Sequence, residues 1–244
     1  MVIVLNKILL FIFTFLIIGD SFKKNTIPKN NNSFKSYEKY NVIIYRDTWG
    51  VPHIFGDKDE DTAYGLGYAH AEDDFATIQD ILIAARGNLS EYYGRSVAAN
   101  DYMVKLLKIW DTVEKNYENG LSDDVIKISE AYADGINHYA SLYPDEAFKG
   151  VFPVKGKDIV AGFIHRMPLM FGLDGTLAKL ATNKYPIKNE DPSTSESDIL
   201  NQRMLGSNVI AVSPSRSDDK FTRILINSHQ PWSGPVAWYE AHLN

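Results

Sequence analysis

Three consecutive residues, Gly206-Ser207-Asn208, hold the clearest chemical potential in this 244-residue chain. A serine that opens a strand is ordinary, and its hydroxyl is a weak nucleophile until a base takes its proton. Here Gly206 precedes it, and glycine tolerates strained backbone without a Cβ clash. Scission of the Gly206–Ser207 bond would give Ser207 a free α-amine with an ordinary pKa of roughly 7.7–8.0. That value suits a general base at neutral pH, so nucleophile and base would share one residue. The uncut chain has no such amine, so scission would begin with Ser207 Oγ attacking the Gly206 carbonyl. His229, in Asn227-Ser228-His229-Gln230-Pro231-Trp232, is the second candidate. A histidine near a strand end is more often structural. Two antiparallel strands joined near residues 214–219 would set it beside Ser207, where it could orient the hydroxyl or the amine. A different hydrolytic chemistry, acid–base or metal-assisted, would use His70, Asp73 and Asp74. That cluster also reads, more simply, as a solvated helix face.

Elements must hold these groups in place. Ser207-Asn208-Val209-Ile210-Ala211-Val212 reads as a strand, residues 213–220 as a turn and 222–227 as the returning strand. A further strand-like run covers 236–243. Upstream, Val42-Ile43-Ile44-Tyr45 and His53-Ile54-Phe55 are short strands around the turn Thr48-Trp49-Gly50-Val51-Pro52. Acidic residues at 57–61 suit a helix N-terminus. Phe75, Ile78, Ile81, Leu82 and Ala85 then recur at helical spacing, and Gly87 stops the helix. A second helix is expected over 122–142, with Ser122 as N-cap and Val125, Ile128, Tyr132, Ile136 and Tyr139 as its buried face. A third spans about 157–171. Residues 182–198 turn abruptly polar, with Pro186 and Pro192, and read as a linker. No internal repeat is visible. Short strands, several helices, a polar bridge and then consecutive strands make an α+β protein.

Composition narrows the partners. A hydrophobic content of 45% supports a sizeable core. A net charge of −6, with no basic stripe, provides no electrostatic basis for nucleic acid or anionic membrane. The absence of cysteine excludes disulfides, thiolate metal sites and a cysteine nucleophile. At the N-terminus, Lys7 precedes the apolar run Ile8 to Ile18, and Gly19, Asp20 and Ser21 follow. This is the pattern of a secretory signal over residues 1–21, and the run is short for a membrane-spanning helix. The expected location is exported, periplasmic or secreted, without stable membrane insertion. Retention as an N-terminal anchor is the alternative. Residues 22–39 read as a flexible leader.

Three separated motifs carry a family resemblance. They are Arg46-Asp47-Thr48-Trp49-Gly50-Val51-Pro52-His53-Ile54, then Tyr64-Gly65-Leu66-Gly67-Tyr68-Ala69-His70-Ala71-Glu72-Asp73, then Gly87-Asn88-Leu89-Ser90-Glu91. With Gly206-Ser207-Asn208 and the His229-Gln230-Pro231-Trp232 segment, they resemble the penicillin acylase family of N-terminal nucleophile hydrolases. The resemblance runs from about residue 40 to the end. It implies a precursor that cuts itself between Gly206 and Ser207 and loses a spacer within 182–206. Residues 40–181 would be the α-subunit region and 207–244 the start of the β subunit, whose first antiparallel strands belong to an αββα core. The two pieces would stay associated. Ser207 would attack the amide of a small N-acylated molecule of penicillin, cephalosporin or acyl-homoserine lactone type, with no cofactor needed for the chemistry. His229 falls where lactone and cephalosporin acylases carry a histidine and penicillin G acylases do not, which favours an aliphatic acyl group. Met167, Met170 and Phe171 resemble the segment lining the acyl pocket, although methionine and phenylalanine at helical spacing are more often plain core. The family commonly binds a structural calcium; Asp174 is the nearest carboxylate to the family's position, with a poor local match, so the metal ligands stay unassigned. The oxyanion-hole asparagine of the family lies beyond residue 244, so this polypeptide alone is expected to be inactive, a fragment of a longer product. The alternative is an exported, non-catalytic scaffold or binding module on the acylase fold.

Overall fold

The computed structural model describes residues 23–25, 39–170, 207–228 and 237–244. The expected signal segment and spacer, most of the leader, and Phe171, Asp174, Gly206 and His229 lie outside the described residues.

Strands β2 (Val42–Arg46) and β3 (Pro52–Gly56) form an antiparallel hairpin in which Ile44 stands opposite Ile54. Alternation puts both isoleucines on the same inward face, where they are fully buried. The turn between them is held by Asp47. Its Oδ1 accepts the N–H groups of Trp49 at 2.8 Å and Val51 at 3.0 Å, and Gly50 supplies the φ of 86° that the turn needs. On one side β1 (Lys23–Asn25) pairs antiparallel with β2, although composition alone reads those residues as leader. An edge strand with unpaired N–H and C=O groups accepts almost any short extended segment. On the other side β6 (His242–Leu243) runs parallel to β3, closing the order β1-β2-β3-β6. The strand expected over 236–243 is therefore only two residues long.

Helix α1 (Asp59–Arg86) opens on Asp59, Glu60 and Asp61 and is interrupted at Asp74, whose φ of −148° and ψ of 55° leave the helical region. Its expected face is buried at Phe75, Ile78, Leu82 and Ala85, with Ile81 half-buried and Ile83 buried in addition. Gly87 ends it, donating its N–H to Ala84 O at 3.0 Å. Three short helices follow that periodicity does not announce: α2 (Leu89–Tyr93), α3 (Ala98–Leu106) and α4 (Ile109–Gly120). Helix α5 (Asp123–Leu142) is capped as expected, with Val125 N–H on Ser122 Oγ at 3.4 Å. Its face differs from expectation. Val125 and Ile128 are exposed, while Ala131, Gly135, Ile136, His138 and Tyr139 are buried. The reason lies in how closely α1 and α5 cross. A Cβ on Gly67 would sit 2.2 Å from Tyr132 O, and one on Gly135 would sit 2.2 Å from Tyr64 O. Contact that close selects the small-residue stripe over the bulky one. Helix α6 (Gly156–Met170) starts where Asp158 Oδ2 accepts the Lys155 N–H at 2.8 Å, and it contains Pro168 near its end.

The chain divides into two compact units. The first holds Met1–Ile83, Trp110–Gly162 and Tyr239–Asn244; the second holds Ala84–Ile109 and Phe163–Trp238. In the first, Tyr40 stacks on Tyr64 at 4.4 Å, beside the buried Ala63 and Ala131. Phe75 packs against Phe152 and Tyr139 in the same unit. In the second, strands β4 (Ser207–Val212) and β5 (Arg223–Ser228) form a separate antiparallel ribbon. The described chain is α+β, mostly helical with few, mainly antiparallel strands. Among the described residues no helix is long and apolar enough to cross a membrane.

Candidate active site

Ser207 is the first residue of β4 and is exposed. Its strand partner is Ser228, the last residue of β5 and the immediate chain neighbour of His229. The register is fixed by the turn. Ser213 O receives the Arg216 N–H at 3.0 Å, and Ser217 O receives the Lys220 N–H at 3.3 Å. Arg223 then grips the turn from the start of β5, with Nη1 2.7 Å from Asp219 Oδ1 and 2.6 Å from Ser217 Oγ. That guanidinium, followed by the Ser217 hydroxyl and the Phe221 N–H, holds the Asp219 carboxyl far below the usual carboxylate range. A slip of one residue would reverse the faces of β4 and move Ser207 away from the end of β5.

Met167 lies on α6 with 53% of its surface exposed. Met170 is the last residue of the same helix. Sequence reasoning missed the buried histidine beside them. His165 Nε2 lies 2.7 Å from Asn100 Oδ1, and Asn100 donates to Ala84 O at 2.9 Å. Burial, followed by the neighbouring Arg166, lowers the pKa of His165 and keeps it neutral. Asp101, next along α3, accepts the N–H groups of Leu89 at 2.8 Å and Ser90 at 2.9 Å, together with the Ser90 hydroxyl. Burial pushes this carboxyl up, and the Ser90 contacts with those of Asn100 and Leu89 outweigh it and bring the pKa down. The Gly87-Asn88-Leu89-Ser90-Glu91 motif is thus anchored through a carboxylate that no periodicity marks.

The cluster considered for acid–base or metal chemistry is committed elsewhere. Asp73 Oδ2 receives Arg46 Nη1 at 2.8 Å and the Tyr239 hydroxyl. Arg46 also donates through Nη2 to Glu72 Oε2 at 2.7 Å and through Nη1 to Gly50 O at 2.8 Å. His70 Nδ1 lies 2.6 Å from the Tyr132 hydroxyl, and its ring stacks on Tyr239 at 4.3 Å. Asp74 is the helix kink. Among the described residues no group of three or more His, Asp or Glu is placed to hold a metal ion. Asp47 belongs to the same motif region. Burial would raise its pKa, but the Trp49 and Val51 N–H groups and His53 outweigh that and lower it.

Relatives give this geometry a context. The chain is 26% identical over 223 residues to an acyl-homoserine lactone acylase PvdQ of Pseudomonas fluorescens, covering 82% of this chain and 28% of that protein. It is 22% identical to the aculeacin-A acylase of Actinoplanes utahensis, covering 84% of this chain and 29% of that one. A penicillin acylase 2 proenzyme of a Pseudomonas species matches at 29% identity over 98 residues, 40% of this chain and 12% of that protein. The chain thus spans less than a third of the length of these relatives. Among solved structures, a thermostable penicillin G acylase from Alcaligenes faecalis aligns at 24% identity with a TM-score of 0.44, covering 68% of this chain and 92% of that one. The model of the penicillin amidase family matches residues 41–244, most of the chain, and the chain belongs to that family.

Proposed function

We propose that this protein is an exported amidohydrolase that frees Ser207 by cutting its own chain after Gly206, then uses that residue as both nucleophile and base. The observation that carries the reading is the position of Ser207, exposed at the very start of a strand whose register a charged turn fixes. Family membership supports the same chemistry, and the word proenzyme in the name of one relative supports processing. Ser207 Oγ attacks the amide carbonyl carbon of the substrate while the α-amine takes the hydroxyl proton. The resulting tetrahedral adduct collapses to an acyl-enzyme, and the amine product leaves with that proton. Water, deprotonated by the same α-amine, then attacks the ester and releases the carboxylic acid, regenerating Ser207. His229, following the strand partner of Ser207 in the chain, is proposed to orient the amine. Met167, Met170 and Phe171 are proposed to line the acyl pocket, and the acyl-homoserine lactone acylases among the relatives favour an aliphatic acyl chain. No cofactor enters these steps; a calcium of the family type would be structural, with its ligands unassigned.

The test is an amide panel of graded acyl length, run on the protein expressed from its complete gene and on Ser207→Ala. The reading requires hydrolysis by the first and, for the variant, loss of hydrolysis by at least about 10³-fold together with loss of chain scission. A Ser207→Ala protein that matures and turns over amides normally would contradict it.

A further inference from the structure

We propose that residues 239–244 form a clasp holding the second piece of the matured protein onto the first, docking on the surface made by β3, Arg46, His70 and Asp73. The proposal rests on the scission reading above: once the Gly206–Ser207 bond is cut, residues 239–244 keep no main-chain link to residues 1–206. Noncovalent contacts must then carry the attachment, and four of them converge on this short segment. Along the main chain, Asn244 donates its N–H to Ile54 O at 2.9 Å and accepts the Gly56 N–H at 3.1 Å, so β6 extends the sheet by strand addition. The His242 ring meets His53, with their Nδ1 atoms 3.0 Å apart, and also lies against Phe55. The Tyr239 ring stacks on His70 at 4.3 Å with an interplanar angle of 20°.

The fourth contact is charge-assisted. The Tyr239 hydroxyl donates to Asp73 Oδ2, an oxygen already oriented by Arg46. Arg46 is itself locked by Glu72 and by the carbonyls of Gly50 and Ala69, so the receiving surface is preorganised within the first piece. A donor meeting a prealigned carboxylate is stronger than a neutral pair. Tyr239 opens the last of the three chain segments that belong to the first compact unit, and Trp238, one residue earlier, is exposed. The partner that fits this surface is therefore the second piece of the same chain, and the Arg46-Asp47-Thr48-Trp49-Gly50 motif acts in its retention rather than in catalysis.

The experiment uses the protein from its complete gene, matured, with two variants, Tyr239→Phe and Asn244→Pro, and Trp238→Ala as the control outside the clasp. Intact mass establishes scission in each, and size-exclusion chromatography in rising urea then reads the concentration at which the pieces separate. The first variant keeps the ring stack and loses the hydroxyl donor; the second loses the N–H to Ile54 O. Each is expected to lower the separation midpoint by about 1 M urea relative to wild type and control. A divided protein whose pieces separate at the wild-type midpoint in both variants overturns the clasp alone. A wild-type protein that never divides overturns the scission reading and the clasp with it.

Discussion

In the proposed mechanism Ser207 combines two demands that ordinary serine hydrolases split among three side chains, and that proposal has a pH signature. The amine is active only when neutral, so the hydrolysis rate should fall as pH drops through the amine pKa, roughly 7.7–8.0 if unperturbed, and level off above it. A pH–rate profile of the matured protein checks this; a rate that holds level from pH 9 down to 6 would exclude the amine as base. Other residues act on stability. Burial lowers the pKa of His138, which lies against the buried Tyr64 hydroxyl, and burial with Arg166 lowers that of His165. Both therefore take up a proton more readily when unfolded. Their contribution is complete above about pH 6.5 and is lost as pH falls toward the folded-state values. Urea midpoints should drop between pH 7 and pH 5, and by less in His138→Gln than in wild type. Asp101→Ala strands the Leu89 and Ser90 N–H groups, and equilibrium unfolding should register a loss of about 2 kcal/mol. Such roles were illegible in sequence because a buried Asp or His looks the same as an exposed one until its neighbours are known. The position of Ser207 was legible, since a β-branched run directly after a polar bridge marks a strand start.

At the level of elements, strong periodicity decided what could be read. The β2–β3 hairpin, α1 with its stop at Gly87, α5 with its Ser122 cap, and the β4–β5 ribbon all stand within a few residues of expectation. Helices α2 to α4 were not read, because 89–120 is broken into pieces of 5, 9 and 12 residues that are too short to display a sustained apolar stripe. The buried face of α5 was half misread at Val125 and Ile128, since bulk is a poor guide where two helices cross on glycine. That crossing gives the sharpest prediction about the fold. Gly67→Ala and Gly135→Ala each drive a methyl group into a backbone carbonyl, so the helices must separate. Chemical denaturation should show a loss of about 3 kcal/mol for either change. Gly50→Ala has open space around its added carbon and should cost less, about 1 kcal/mol, through backbone conformation alone.

Over the whole molecule, the ribbon is the outlying feature. Val209 and Ile210 on β4, and Leu225 and Ile226 on β5, are adjacent pairs pointing to opposite faces, yet all four are more than half exposed. A two-stranded ribbon with bare apolar faces is marginal in water. These 244 residues expressed alone should therefore bind a hydrophobic dye and self-associate, which light scattering would detect; a monodisperse sample that binds no dye would contradict this. Everything turns on one peptide bond. Intact-mass measurement with N-terminal sequencing of the protein from its complete gene addresses it directly. Two polypeptides are expected, the second beginning Ser207-Asn208-Val209. A single continuous chain that still hydrolyses amides would contradict it.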